Sequence, residues 1–186
     1  MPAVGTPAPP LRVRDQDDRW RTPADLSGPN GWVLLFYRGH WCPFCLHQLF
    51  EYEGVVAKLR ALGYELAALS VDPPERSAAL RDRLHLSFPL LCDPERAAVV
   101  AWDVFNAGEK GGIAHPATAI VAASGELRWF ERERMTSRLS AAGVLALVRA
   151  VPGEPTPAPR SYFPRGVYWR RALANAFRFG VRSPVE

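Results

Sequence analysis

Val33 to Phe36 is an unbroken apolar run of the kind that fills a central strand covered on both faces, and helical spacing takes over from Pro43. Leu46, Leu49, Phe50, Val55, Val56, Leu59 and Leu62 then recur at helical spacing. That pattern predicts one amphipathic helix of about five turns, stopped at Gly63. Glu65 to Val71 is a second apolar strand, broken by Asp72-Pro73-Pro74. Glu75 to Leu86 reads as a helix with Leu80 and Leu84 inward, Phe88 to Leu91 as an extended piece, and Glu95 to Trp102 as a helix introduced by Asp93 and Pro94. Asp103 to Ala114 holds three glycines and no period, so it reads as a loop. Thr118 to Ala122 and Glu126 to Phe130 form a hairpin around Ala123-Ser124-Gly125, and Ser137 to Ala150 a closing helix. The order predicts an α/β fold: a central mixed sheet with helices on both faces.

The ends behave differently. Residues 1–10 are proline-rich and are expected to be loose; Leu11 to Arg14 and Arg19 to Thr22 read as short strands around the acidic turn Asp15 to Asp18. One domain is expected over 11–150, then a proline-rich linker over 151–160 and a basic, aromatic extension over 161–186. Tyr168, Trp169, Leu173, Ala176, Phe177 and Phe179 would share a broad helical face, expected to pack back on the domain or on a second copy in a homodimer; a peripheral anchor or a partner-binding helix is the alternative.

The apolar fraction of 48% over 186 residues suits one hydrophobic core. Of 23 basic residues seven arginines lie beyond residue 148, against two of the 19 acidic ones, so the net charge of +4 sits in the tail. A nearly neutral core argues against nucleic acid as a partner. No apolar stretch has the length of a membrane span and no signal-peptide pattern opens the chain, so cytoplasm is the expected location. Three cysteines make no disulfide scaffold.

The chemistry lies where strand meets helix. Cys42-Pro43-Phe44-Cys45 falls at the predicted helix start, where unpaired N–H groups lower thiol pKa values, and this setting is that of a redox pair. Zinc held by these cysteines with His40 and His47 is the competing reading, but no second Cys-x-x-Cys exists and the four ligands would crowd into one short segment. No cofactor or metal is called for.

With those residues in view, the chain from Pro10 to Ala150 resembles the thioredoxin-like superfamily, and within it the peroxiredoxin-like proteins of the alkyl hydroperoxide reductase and thiol-specific antioxidant group. Phe36-Tyr-Arg-Gly-His-Trp-Cys-Pro-Phe-Cys45 is similar to the segment bearing their peroxidatic cysteine, and Phe88-Pro-Leu-Leu-Cys-Asp-Pro94 to their Phe-Pro-Leu-Leu-Ser-Asp stretch. The resemblance implies a thioredoxin-like fold and puts Cys45 at the peroxidatic position, with Cys42 where Thr or Ser is usual. Read as in thioredoxins, Cys42 after Trp41 is instead the exposed attacker and Cys45 the buried resolver. His115-Pro116-Ala117-Thr118 resembles a cis-proline loop, and Pro116 stands where a peroxiredoxin carries its peroxide-binding arginine. The expectation is therefore a cis Pro116 facing Cys42, with Cys42 as the primary nucleophile.

Other candidates support this pair. Arg38 is the expected nearby cation. His40 can steady a thiolate or shuttle a proton, or be an ordinary loop histidine; His115 can contact the site; Trp41 can shape the substrate surface; Asp72 is a turn residue or a buried acceptor; Cys92 reads as a core residue. The expected function is thiol-based reduction of peroxides or disulfides, with an internal Cys42–Cys45 disulfide reduced by an external thiol system such as a thioredoxin. A non-enzymatic redox-sensing or partner-binding protein is the alternative.

Overall fold

Every residue of the strand Gly31–Phe36 is buried, and its alternating side chains feed two separate cores. The structure, a computed structural model, describes residues 1–150, 160–162 and 170. In chain order its elements are β1 (Val13–Asp15), β2 (Trp20–Arg21), α1 (Pro23–Leu26), β3 (Gly31–Phe36), α2 (Pro43–Glu53), α3 (Val56–Ala61), β4 (Tyr64–Ser70), α4 (Pro74–Leu84) and β5 (Leu90–Cys92). There follow α5 (Ala97–Ala101), β6 (Phe105–Asn106), β7 (Ile113–Ala114), β8 (Ala117–Ala122), β9 (Leu127–Arg132), β10 (Ser137–Leu139), α6 (Ala141–Arg149) and β11 (Arg160–Tyr162).

Seven strands form one mixed sheet in the order β2-β1-β5-β4-β3-β8-β9, so the four long apolar runs of the sequence do share a sheet. β3 pairs parallel with β4 and antiparallel with β8, which places it at the centre. Val33 and Leu35 face a core built with Leu49 and Tyr52 of α2, Leu59 of α3, Leu80 of α4 and Val144 of α6. Trp32, Leu34 and Phe36 face the other, with Leu26 of α1, Val99 of α5 and Trp102. Each such side chain contributes roughly 1.5–3 kcal/mol by leaving water. This two-sided burial is what locks the end of β3, where the cysteines begin.

Four local expectations are corrected. The long helix is two: α2 ends at Glu53 and α3 starts at Val56, because Gly54 weakens the helix and Val55 leaves it at φ −122°, ψ 0°. The helix expected from Glu95 starts only at Ala97, since Arg96 is left-handed at φ 64° while the Asp93 carboxylate accepts the Val99 N–H at 2.8 Å. The loop 103–114 contains the small antiparallel pair β6–β7. The closing helix does not begin at Ser137. Residues 137–139 are extended, and Ser140 caps α6 by accepting the Gly143 N–H at 3.0 Å.

Residues 5–8, expected to be loose, run beside β9: the Gly5 N–H donates to Leu127 O and the Leu127 N–H to Thr6 O, both at 2.9 Å. The expected tail helix over 168–179, Arg170 apart, and the linker before Arg160 lie outside the described residues. Arg160–Tyr162, however, returns to pair antiparallel with β10. No helix among the described residues is long and apolar enough to cross a membrane.

Candidate functional site

The loop from β3 to α2 is held at both ends. At its start the Tyr37 N–H donates to Leu69 O at 2.9 Å, extending the β3–β4 ladder by one residue. Next, Gly39 adopts φ +144°, where a Cβ would meet Trp41 Nε1 at 2.6 Å, so glycine is required there. Asp72, at the end of β4, then fixes His40 twice: it accepts the His40 N–H at 2.7 Å, and its other oxygen lies 2.9 Å from the ring Nδ1. Ser70 Oγ donates to the same carboxylate at 3.0 Å. The loop therefore delivers Cys42 to the N-cap of α2, with Pro43 in the first turn as the sequence predicts.

Cys42 and Cys45 sit one turn apart and face each other. Their Sγ atoms are 2.6 Å apart as free thiols, and the Cys45 N–H points at Cys42 Sγ at 3.4 Å. Around Cys45 two donors converge beside the Cys42 sulfur: the Arg38 main-chain N–H at 3.4 Å and Arg138 Nη2 at 3.6 Å. Burial alone would push both thiols up. For Cys45 the thiol of Cys42, the charge of Arg138 and the Arg38 N–H more than offset burial, bringing it from the ordinary 9.0 down to about 6. For Cys42 burial is reinforced by the hydrogen bond and charge of Cys45, and its pKa goes up. At neutral pH the site holds one thiolate, on Cys45, beside one thiol.

Several expectations about this site change. Cys42 is not open: as N-cap it turns inward into the same core as Cys45, and both are 0% exposed. The His115–Pro116 peptide is trans, like every other peptide bond among the described residues. Pro116 instead uses its carbonyl, which accepts the Glu133 N–H at 2.7 Å. His115 is held through its main chain to Val104 O at 2.6 Å, and burial followed by the charge of Arg132 holds its ring below the usual histidine range. Arg38 contributes its N–H to the sulfur, not its charge: its guanidinium pairs with Glu109, lies 2.9 Å from Met135 Sδ, and stacks on Trp41 at 5.0 Å. Trp41 carries Lys110 as a second cation, 4.4 Å from its ring centre. The cation at the sulfur is Arg138.

Arg138 is fully buried, and its neighbours account for it. Nε donates to Met135 O and Nη1 to Gln48 Oε1, each at 3.1 Å, while the Glu133 carboxylate lies 3.9 Å from Nη1. Glu133 in turn accepts from Thr118 Oγ1 at 2.7 Å, the Leu139 N–H at 3.1 Å and Gln48 Nε2 at 3.3 Å. This carboxylate balances the guanidinium inside the core, as a buried charge requires. Cys92, on β5, is buried with its thiol pushed up to about 12, chiefly by burial. The dithiol, its cation and its polar backing thus come from α2, the β3–α2 loop, β8, the segment between β9 and β10, and β10 itself. A thiolate with donors around it and a second thiol in contact can form an internal disulfide when a two-electron oxidant acts on the pair, and an external dithiol can reduce that disulfide again.

Known proteins resemble this chain in sequence and in fold. The sequence model of the AhpC/TSA family matches residues 4–130. A Mycobacterium tuberculosis protein named as a peroxiredoxin is 32% identical over 106 residues, 57% of this chain and 66% of its own length, just under two thirds. Alkyl hydroperoxide reductase E of Mycobacterium bovis is 29% identical over 133 residues, covering 70% of this chain and 86% of that protein. The crystal structure of peroxidoxin BcpB from Mycobacterium tuberculosis superposes with a TM-score of 0.71 at 19% identity, covering 80% of this chain and 97% of that one. At that identity the likeness shows the fold, a thioredoxin-like one.

Proposed function

Because this chain belongs to the AhpC/TSA family, we propose that it is a thiol-dependent peroxidase in which Cys45 attacks the peroxide and Cys42 resolves the product. The single observation that carries the assignment is the environment of Cys45 Sγ, between Arg138 Nη2, the Arg38 N–H and the Cys42 thiol. The Cys45 thiolate attacks one oxygen of the peroxide, and the O–O bond breaks. Sulfur gains that oxygen as a sulfenic acid, and the departing alkoxide or hydroxide takes a proton to leave as an alcohol or water. Arg138 faces the position where this negative charge develops. The Cys42 sulfur then attacks the sulfenic sulfur; hydroxide leaves, takes up the Cys42 proton as water, and a Cys42–Cys45 disulfide remains. An external dithiol of the thioredoxin type returns both thiols by exchange, becoming the disulfide itself. The substrate is a peroxide, hydrogen peroxide or an organic hydroperoxide.

Attack by Cys42 on a protein disulfide is the weaker reading: that sulfur is buried, its thiol is pushed toward the protonated form, and Pro116 is trans. The test is single-turnover oxidation of Cys42→Ser and Cys45→Ser by hydrogen peroxide, with a sulfenic-acid trap. Cys42→Ser is expected to accumulate a sulfenic acid on Cys45 at a near-normal rate, and Cys45→Ser to be inert. Rapid oxidation of Cys45→Ser through Cys42 overturns the assignment.

A further inference from the structure

We propose that β11, the strand that returns after the proline-rich linker, is a positioning element for Arg138, clamping the cation onto Cys45. This rests on the reading of Cys45 as the attacking thiol. Among the described residues β10 belongs to a single two-stranded sheet, the one it makes with β11, in the register Ser137↔Tyr162, Arg138↔Ser161, Leu139↔Arg160. The main chain of Leu139 is committed inward: its N–H goes to Glu133 Oε1 and its carbonyl accepts Tyr52 Oη, both at 3.1 Å. Ser137 likewise turns its N–H to Arg134 O, at 3.4 Å. In an antiparallel ladder the N–H and C=O of one residue point the same way and successive residues alternate. The main chain of Arg138 therefore faces β11, opposite Ser161.

The clamp has a second tie. Arg160, which opens β11, pairs with Glu131 of β9, each side chain 29% exposed. The guanidinium of Arg138 is thus held from the core side by Gln48, Met135 and Glu133 while its backbone is held by the C-terminal strand. The attraction between a guanidinium and a thiolate 3.6 Å away falls as the inverse of their separation, so a loosened backbone that lets Arg138 withdraw by about 1 Å changes the thiol before it changes the fold.

The experiment uses the full chain. Reduced wild type, Ser161→Pro, Arg160→Glu and the charge swap Arg160→Glu with Glu131→Arg are alkylated across a pH series. The label on Cys45 is then read separately from Cys42 and Cys92 by peptide fragmentation in a mass spectrometer. Proline removes the Ser161 N–H that faces Arg138. Its expected effect is a rise of the Cys45 midpoint by about one pH unit, a tenfold change in thiolate equilibrium, with the far-UV circular dichroism of the wild type retained. Arg160→Glu is expected to raise the midpoint less, and the charge swap to bring it back. Wild-type midpoints in both Ser161→Pro and Arg160→Glu overturn the proposal. If the proline variant does not fold, the charge pair decides alone: rise and rescue uphold the clamp, an unchanged midpoint overturns it. A wild-type Cys45 that itself titrates near 9 would instead overturn the peroxidase reading, whereas a low wild-type midpoint indifferent to these changes overturns only the clamp.

Discussion

Replacing Arg138 by methionine isolates what the buried cation does, provided Glu133 is first made glutamine so that no uncompensated carboxylate is left in the core. Glu133→Gln is then the reference. The Cys45 thiol stands at about 6 against an ordinary 9.0, a difference worth about 4 kcal/mol in favour of the thiolate. Without Arg138 the sulfur keeps the Arg38 N–H and the Cys42 thiol, but the burial that raises its pKa is no longer countered by charge. The midpoint is expected to rise above 7 and at most to return to about 9, since the Cys42 hydrogen bond remains; at that limit the thiolate fraction at pH 7 falls from about 90% to about 1%.

That loss does not pass straight into rate. A thiolate of higher pKa is the better nucleophile, and with a Brønsted slope near 0.4–0.5 a rise of about three in pKa restores roughly 20-fold. Alkylation by iodoacetamide at pH 7 should therefore slow only a few-fold. Peroxide cleavage has a further demand, because negative charge appears on the departing oxygen within reach of the guanidinium. A hydrogen bond to such a charge is worth about 1.5–3 kcal/mol, a further factor of roughly 10 to 150. Stopped-flow oxidation by hydrogen peroxide beside iodoacetamide alkylation, from pH 5 to 10, separates the two effects. The expected result is a peroxide rate that stays depressed at pH 9.5 while alkylation at that pH matches or exceeds the reference. A Cys45 midpoint still below 7 in the methionine variant refutes the assignment of Arg138; full recovery of the peroxide rate at high pH refutes its role in the transition state.

Cys92→Ala should keep peroxide turnover and the Cys42–Cys45 disulfide and cost about 1 kcal/mol in urea unfolding, because this thiol is buried on β5 and held protonated; loss of the disulfide would assign Cys92 a redox role. The stability of the reduced protein should rise with pH between about 6 and 9: there the folded Cys45 has lost its proton while the unfolded one, near 9.0, retains it. This contribution is complete above 9 and lost as pH falls through 6, whereas Cys42, with its raised pKa, opposes it only above 9. Urea melts of wild type and Cys45→Ser with a non-thiol reductant check this; parallel pH profiles for the two proteins refute it.

The parts of this fold legible in the sequence are those decided by local pattern. The apolar runs of β3, β4 and β8, the helix start at Pro43 and the cysteine pair at its N-terminus all follow from spacing and from the needs of a buried strand. Arg138 is not legible, because its role depends on a turn at 135–136 that leads into the strand Ser137–Leu139; read as the first turn of a helix from Ser137, it looks like a surface arginine. A signal was present in Ser140, a good N-cap three residues before Gly143, which shifts the helix start and frees Ser137 to Leu139 for a strand. Arg38 was misread for the opposite reason: its closeness in sequence to the cysteines suggested a charge at the sulfur, yet Glu109, far along the chain, takes that charge.

The proposed order of attack rests on the same geometry. Both cysteines sit at one helix N-terminus, so the helix dipole cannot decide between them. What decides is which sulfur meets a cation that its own surroundings keep charged. Cys42, as N-cap, accepts the Cys45 N–H from the helix and lies against the Cys45 sulfur; Cys45, one turn on, reaches back to the Arg38 N–H and forward to β10, where Arg138 waits with Glu133 behind it. Once Cys45 holds the charge, a second thiolate 2.6 Å away is costly, which keeps Cys42 protonated. Oxidation of Cys45 to the uncharged sulfenic acid removes that repulsion and leaves Arg138 beside the pair, so the thiol that could not ionise before the first step is released to ionise for the second. On the proposed assignment the pair therefore runs in one direction, Cys45 first and Cys42 after it.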